Sequence, residues 1–111
     1  MMIKLMKTVS QWLSQSEDVV LATIIAIKGS TPRNEGARMA IADGGKLAGT
    51  IGGGALEYKV RQLALDALTK KKSFVMEFTL SSEELGMVCG GDATVYIQFI
   101  SAADDQTKSL F

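Results

Sequence analysis

The sequence predicts one α+β domain of three-layer character: a mixed sheet of about five strands, one long helix, and one or two short helices. Three observations carry this expectation. A nine-residue apolar, β-branched run, Val19 to Ile27, reads as a central strand buried on both faces. A stripe at i, i+4, i+7 spacing, built from Leu56, Val60, Leu63, Ala64, Ala67 and Leu68, reads as a long helix over 55–71. The other strand patterns fall before and after that helix without regular βα alternation, which argues against a doubly wound parallel fold. The 111 residues are the size of one domain.

The elements follow in order. Val9, Trp12 and Leu13 place a short helix over Thr8 to Gln15. After the central strand, Ala37 to Ala42 forms a second strand, Asp43-Gly44-Gly45 signals a hairpin turn, and Lys46 to Thr50 returns. In the long helix, Glu57 lies in the first turn and Lys70-Lys71-Lys72 close the last, both complementing the helix dipole. Phe74 to Leu80 reads as a strand, Ser81 to Leu85 as a capped helical turn, and Ala93 to Ile100 as the last strand. The polar tail from Ser101 is expected to fray or to dock on a partner.

Composition narrows the function classes. Twelve basic residues balance twelve acidic ones, which argues against broad electrostatic binding to nucleic acid. No apolar run approaches the ~20 residues that span a bilayer, and the N-terminus lacks the pattern of a signal peptide. One cysteine cannot form an internal disulfide, so a reducing, cytoplasmic setting is expected. Histidine is absent, which removes histidine-based triads and the usual cysteine/histidine zinc sites. Chemistry would rest on Cys89, carboxylates, arginines or backbone amides.

Three glycine-bearing clusters stand out. Gly29-Ser30-Thr31-Pro32-Arg33 is a loop stiffened by the only proline. It presents hydroxyls and a guanidinium suited to a phosphate or carboxylate, or it is a solvated turn. Gly49 to Glu57 contains Gly52-Gly53-Gly54 at the head of the long helix, where bare amides and the positive dipole end suit an anion. It matches neither the P-loop nor the dinucleotide fingerprint, and a tight strand-to-helix corner explains the glycines equally. Gly86 to Asp92 holds Cys89, whose thiolate would be stabilised by the amides of Gly90 and Gly91. Such a thiol is a nucleophile, a metal ligand or a sulfur carrier, or else an inert buried side chain. Arg38, on the second strand, points either to solvent or into a site.

Taken together, Lys28-Gly29-Ser30-Thr31-Pro32-Arg33, Gly36-Ala37-Arg38-Met39, Gly49 to Glu57, and Met87-Val88-Cys89-Gly90-Gly91 resemble the XdhC/CoxI family of xanthine dehydrogenase accessory factors, over roughly residues 8–101. The resemblance implies a non-catalytic chaperone. It would bind molybdenum cofactor, support sulfuration with a cysteine desulfurase, and hand the cofactor to a molybdenum hydroxylase apo-enzyme. It implies cofactor-binding roles for Ser30, Arg33, Arg38, Gly52, Gly53, Gly54, Glu57, Cys89, Gly90 and Gly91, with Cys89 as a molybdenum contact. Typical members carry a second, Rossmann-like C-terminal domain, which this sequence lacks. A homodimer, or a separate Rossmann-domain protein, is therefore expected to complete the site. The alternatives are a sulfur-transfer or redox protein using Cys89, and a structural or regulatory subunit whose glycines only shape turns.

Overall fold

The central strand is where the apolar run places it. In the computed structural model, which describes residues 2–29, 35–80 and 91–103, that run becomes β1 (Val19–Gly29). Before it comes α1 (Met2–Ser14), and after it β2 (Arg38–Ala42), a 3₁₀ turn at Asp43–Gly45, and β3 (Lys46–Thr50). Then follow α2 (Gly54–Lys70), β4 (Phe74–Leu80) and β5 (Gly91–Ile100). The five strands form one sheet in the order β3-β2-β1-β5-β4.

The sheet is antiparallel in all its described pairings, not mixed as the sequence suggested. The connectivity gives the reason. Strands β3 and β4 run in the same direction, but α2 carries the chain from one edge of the sheet to the other, so they never pair. Periodicity marks a crossover helix without saying where it lands.

Two apolar layers sandwich the sheet between the helices. One contains Val20, Ala22, Ile24, Met39, Ile41, Val95 and Ile97 beneath Leu56, Val60, Ala64 and Ala67 of α2. The other contains Val19, Leu21, Ala40, Ala42 and Ile100 beneath Leu5, Val9 and Leu13 of α1. Alternation along β1 sends successive side chains to opposite layers, so both faces of its first half are buried, as the unbroken apolar run required. Of the helical stripe, Leu63 and Leu68 are only half-buried, at its margins.

Helix α1 begins six residues before the expected Thr8, because Leu5 extends the Val9–Leu13 stripe by a turn. Its end is a Schellman motif: Ser16 is left-handed at φ 65°, Ser16 N–H donates to the Leu13 carbonyl, and Glu17 N–H to that of Trp12. Helix α2 also ends on a left-handed residue, Lys71 at φ 56°, with the N–H groups of Lys71 and Lys72 both donating to the Ala67 carbonyl. Strand β5 starts at Gly91, two residues before the expected Ala93, so Gly91 is ladder backbone. The expected turn at Ser81–Leu85 and the tail beyond Ala103 lie outside the described residues.

Candidate functional site

Antiparallel pairing brings the approaches to all three glycine clusters to one end of the sheet. Strands β1, β3 and β4 finish there, and β2 and β5 start there. Arg38 sits between Thr23 on β1 and Thr50 on β3, while Gly29 sits opposite Gly91. The clusters are not level, however. The β1–β5 ladder runs six residues beyond Thr23, which is about 20 Å of strand at ~3.3 Å per residue. A register shift between Ile24 and Ala26 interrupts this arm. Gly91 therefore stands at the tip of an extended arm, and Arg38, Gly52, Gly53, Gly54 and Glu57 gather at its base. Ser30, Arg33, Cys89 and Gly90 lie outside the described residues.

The base is built around one carboxylate. Glu57, in the first turn of α2, reaches back over the glycine corner. Its Oε1 accepts from Ile51 N–H at 3.0 Å, from Gly53 N–H at 3.2 Å, and from the Thr50 hydroxyl. Gly52 N–H donates to Thr50 Oγ1 at 3.0 Å. The Ile51 side chain, fully buried under α2, anchors the corner from below. Gly52, Gly53 and Gly54 have φ of 116°, 76° and 72°, a succession that only glycine adopts without strain.

This answers part of the question the glycines posed. They do present amides to an anion, and the amides of Ile51 and Gly53 already have one in Glu57. Partial burial pushes the Glu57 carboxyl up, but hydrogen bonds from Thr50, Ile51 and Gly53, together with the Arg61 charge, outweigh it and hold the group below its ordinary 4.5. What α2 leaves for an outside anion is its first turn, where no side chain caps the helix.

Thr50 ties this corner to Arg38, its partner across the β2–β3 ladder. Beside that pair a groove of about 720 Å³ opens on the α1 face of the sheet. Lys4, Leu5 and Thr8 of α1 form one wall, and Glu35 to Arg38 with Ala48 to Thr50 form the rest. Gly49 is fixed here by space as well as by its φ of 74°: a Cβ would stand 2.7 Å from the Arg38 carbonyl oxygen and 3.3 Å from the Leu5 methyls. Glu35 braces the opposite lip, its Oε1 accepting from Ile27 N–H at 3.2 Å.

Sequence reasoning placed Arg38 near the site but missed the groove's α1 wall, since it began the helix at Thr8. The available signal was Leu5, four residues before Val9. It missed the bracing role of Glu35, for which the local sequence holds no pattern. Among the described residues, no group of three or more acidic or cysteine side chains is arranged to hold a metal ion.

The comparisons with known proteins add the following. The model of the XdhC and CoxI family matches residues 12–79. YqeB, an uncharacterized protein of Escherichia coli (strain K12), is 36% identical over 80 residues, covering 69% of this chain and 15% of YqeB. A crystal structure of a xanthine dehydrogenase from Bacillus halodurans superposes with a TM-score of 0.72 at 26% identity, covering 93% of this chain and 32% of that one. The chain thus spans under a third of the length of either relative. No helix among the described residues is long and apolar enough to cross a membrane.

Proposed function

Because the chain belongs to the XdhC and CoxI family, we propose that it serves the maturation of a molybdenum hydroxylase of the xanthine dehydrogenase type, as a cofactor-handling accessory protein. The observation that carries this reading is the family match over residues 12–79, which includes two of the three glycine clusters and Arg38. The Bacillus halodurans structure, itself described as a xanthine dehydrogenase, points to the same enzyme system.

The proposed cargo is molybdenum cofactor, a phosphorylated pterin that supplies a dithiolene-held metal to the client enzyme. The described residues suit such a group. Arg38 offers a guanidinium matched to phosphate geometry beside a groove within the usual size of small-molecule sites. Gly52 to Gly54 let the first turn of α2 be approached closely. Ser30, Arg33, Cys89, Gly90 and Gly91 complete the proposed set, with Cys89 as the thiol that meets molybdenum or transferred sulfur. The proposed partners are the apo-enzyme, a cysteine desulfurase, and either a Rossmann-domain protein or a second copy of this chain.

The test is co-expression of a molybdenum hydroxylase with and without this chain, in a host lacking its own accessory factor. The reading expects at least a tenfold gain in xanthine-oxidising activity and in cyanide-releasable sulfur, at equal molybdenum content. Equal activity and equal releasable sulfur with and without the chain would overturn it.

A further inference from the structure

We infer that the outer edge of β4 is a contact surface for a second copy of this chain, whose own β4 pairs with it antiparallel about a two-fold axis at Val75. The described strands of the two copies then run on as one sheet. This contact stands apart from the cofactor-handling reading and does not depend on it.

The edge itself is the first observation. β4 ends the strand order, and no other described strand lies on its outer side. The backbone groups of such an edge are a template for another strand, and Glu77 is the only charge along this one. The second observation is the face beneath α2. Phe74, Met76 and Phe78 stand opposite Ile97, Val95 and Ala93, which are buried in the α2 layer. Opposite residues share a face, so all three belong to that layer. They are only half-buried, because α2 packs mainly over β1, β2 and β5. A strand added outside them carries the apolar layer on.

Charge selects the partner strand and its register. Opposite residues must share a face, so the two-fold axis passes through a residue and not between two. An axis at Glu77 sets two carboxylates directly opposite each other. An axis at Met76 or Phe78 leaves them diagonal neighbours on one face, where like charges still repel. An axis at Thr79 carries Glu77 towards the acidic pair Glu83-Glu84 that follows in the sequence. An axis at Phe74 runs the ladder into Lys71, whose left-handed backbone does not continue a strand. An axis at Val75 parts the two carboxylates by four residues, about 13 Å of strand at ~3.3 Å per residue. It sets Glu77 opposite the partner's Ser73, beside the basic run 70–72 of that copy. Val75, 56% exposed in the single chain, then meets the partner's Val75, and Phe74 meets the partner's Met76. The ladder covers residues 73–77 on each side. That is a small interface, so the association is concentration-dependent and not permanent.

β4 finishes at the end of the sheet that carries Arg38 and the α2 corner, so an antiparallel copy points its own site the opposite way. Neither copy lends residues to the other's site, and both site ends stay open to a different protein.

The experiment is disulfide trapping in the purified chain carrying Cys89→Ser, with a cysteine placed at position 75, 77 or 79 in turn and diamide as oxidant. Circular dichroism confirms that each variant is folded. Directly opposite residues of antiparallel strands lie within disulfide reach, so Val75→Cys should give a dimer on a non-reducing gel about tenfold faster than Glu77→Cys or Thr79→Cys. Without oxidant, Glu77→Lys should raise the dimer dissociation constant about fivefold at low salt, and high salt should shrink that difference. Trapping at position 77 or 79 as fast as at 75 would overturn the inference. So would a folded Glu77→Lys that associates as tightly as wild type, or no trapped dimer of Val75→Cys even at millimolar chain. Failure of the co-expression test would leave this contact standing.

Discussion

At the scale of single residues, two substitutions separate the roles that glycine and carboxylate play. Gly49 combines a left-handed φ of 74° with a Cβ position 2.7 Å from a backbone oxygen. Alanine there meets both penalties, so Gly49→Ala should cost about 2–4 kcal/mol by urea denaturation. Gly36, at φ 87° with open space around it, carries only the first, and its alanine variant should cost about 1 kcal/mol. Equal losses at the two sites would show that the Arg38 carbonyl and the Leu5 methyls do not crowd position 49 as described. Glu57 is legible in hindsight. A glutamate four residues after a glycine corner can reach back to its amides as in a capping box, but the sequence offered two uses for those amides and could not rank them. The pH dependence tests the geometry. The folded-state pKa lies below the ordinary 4.5, so the charged form contributes stability that is fully present above that value. That stability is lost as pH falls through the folded pKa. Glu57→Gln should therefore cost about 1 kcal/mol at pH 7, a figure kept small by partial solvation. The gap to wild type should close as the solution is taken below pH 4.5. A gap that stays constant down to pH 3 would rule out the carboxylate as the anchor.

At the scale of elements, the patterns that were read correctly are those in which one face meets one layer. The α2 stripe is the clearest. Leu56, Val60, Ala64 and Ala67 are buried at helical spacing, and the helix runs from Gly54 to Lys70, one residue off its expected bounds. The β2–β3 hairpin is equally legible because Asp43-Gly44-Gly45 supplies the positive φ its turn uses. The start of α1 and the order of the strands were not, for a physical reason: both depend on which layer an element packs against, and periodicity gives a face without giving its partner. The layering makes a graded prediction. Leu56 is fully buried beneath the helix and Leu63 lies at its margin. Leu56→Ala should cost about 2–4 kcal/mol, with the cavity left under α2, and Leu63→Ala about 1 kcal/mol. Urea midpoints at equal slope would measure the difference. A Leu63 loss as large as that of Leu56 would mean that α2 is rolled about its axis relative to the stripe.

At the scale of the whole molecule, the strand order leaves β4 at one edge, with no other described strand on its outer side. Its sequence, Phe74-Val75-Met76-Glu77-Phe78-Thr79-Leu80, has neither the lysine nor the proline that commonly protects an edge. Val75, paired with Tyr96 on the inner side, is 56% exposed. The opposite edge is better defended: β3 is five residues long and opens on Lys46, which is ion-paired to Glu17. With Glu77 as its single charge, this edge can still recruit a strand, and a second copy of the chain offers an identical one that can pair antiparallel about a two-fold axis. Self-association should then appear in sedimentation velocity as a weight-average coefficient that rises with concentration. Val75→Lys should suppress that rise. It should leave the unfolding free energy from urea denaturation within about 0.5 kcal/mol of wild type, because an exposed edge position contributes little to either apolar layer. A concentration-dependent coefficient that the lysine variant fails to flatten would place the contact elsewhere.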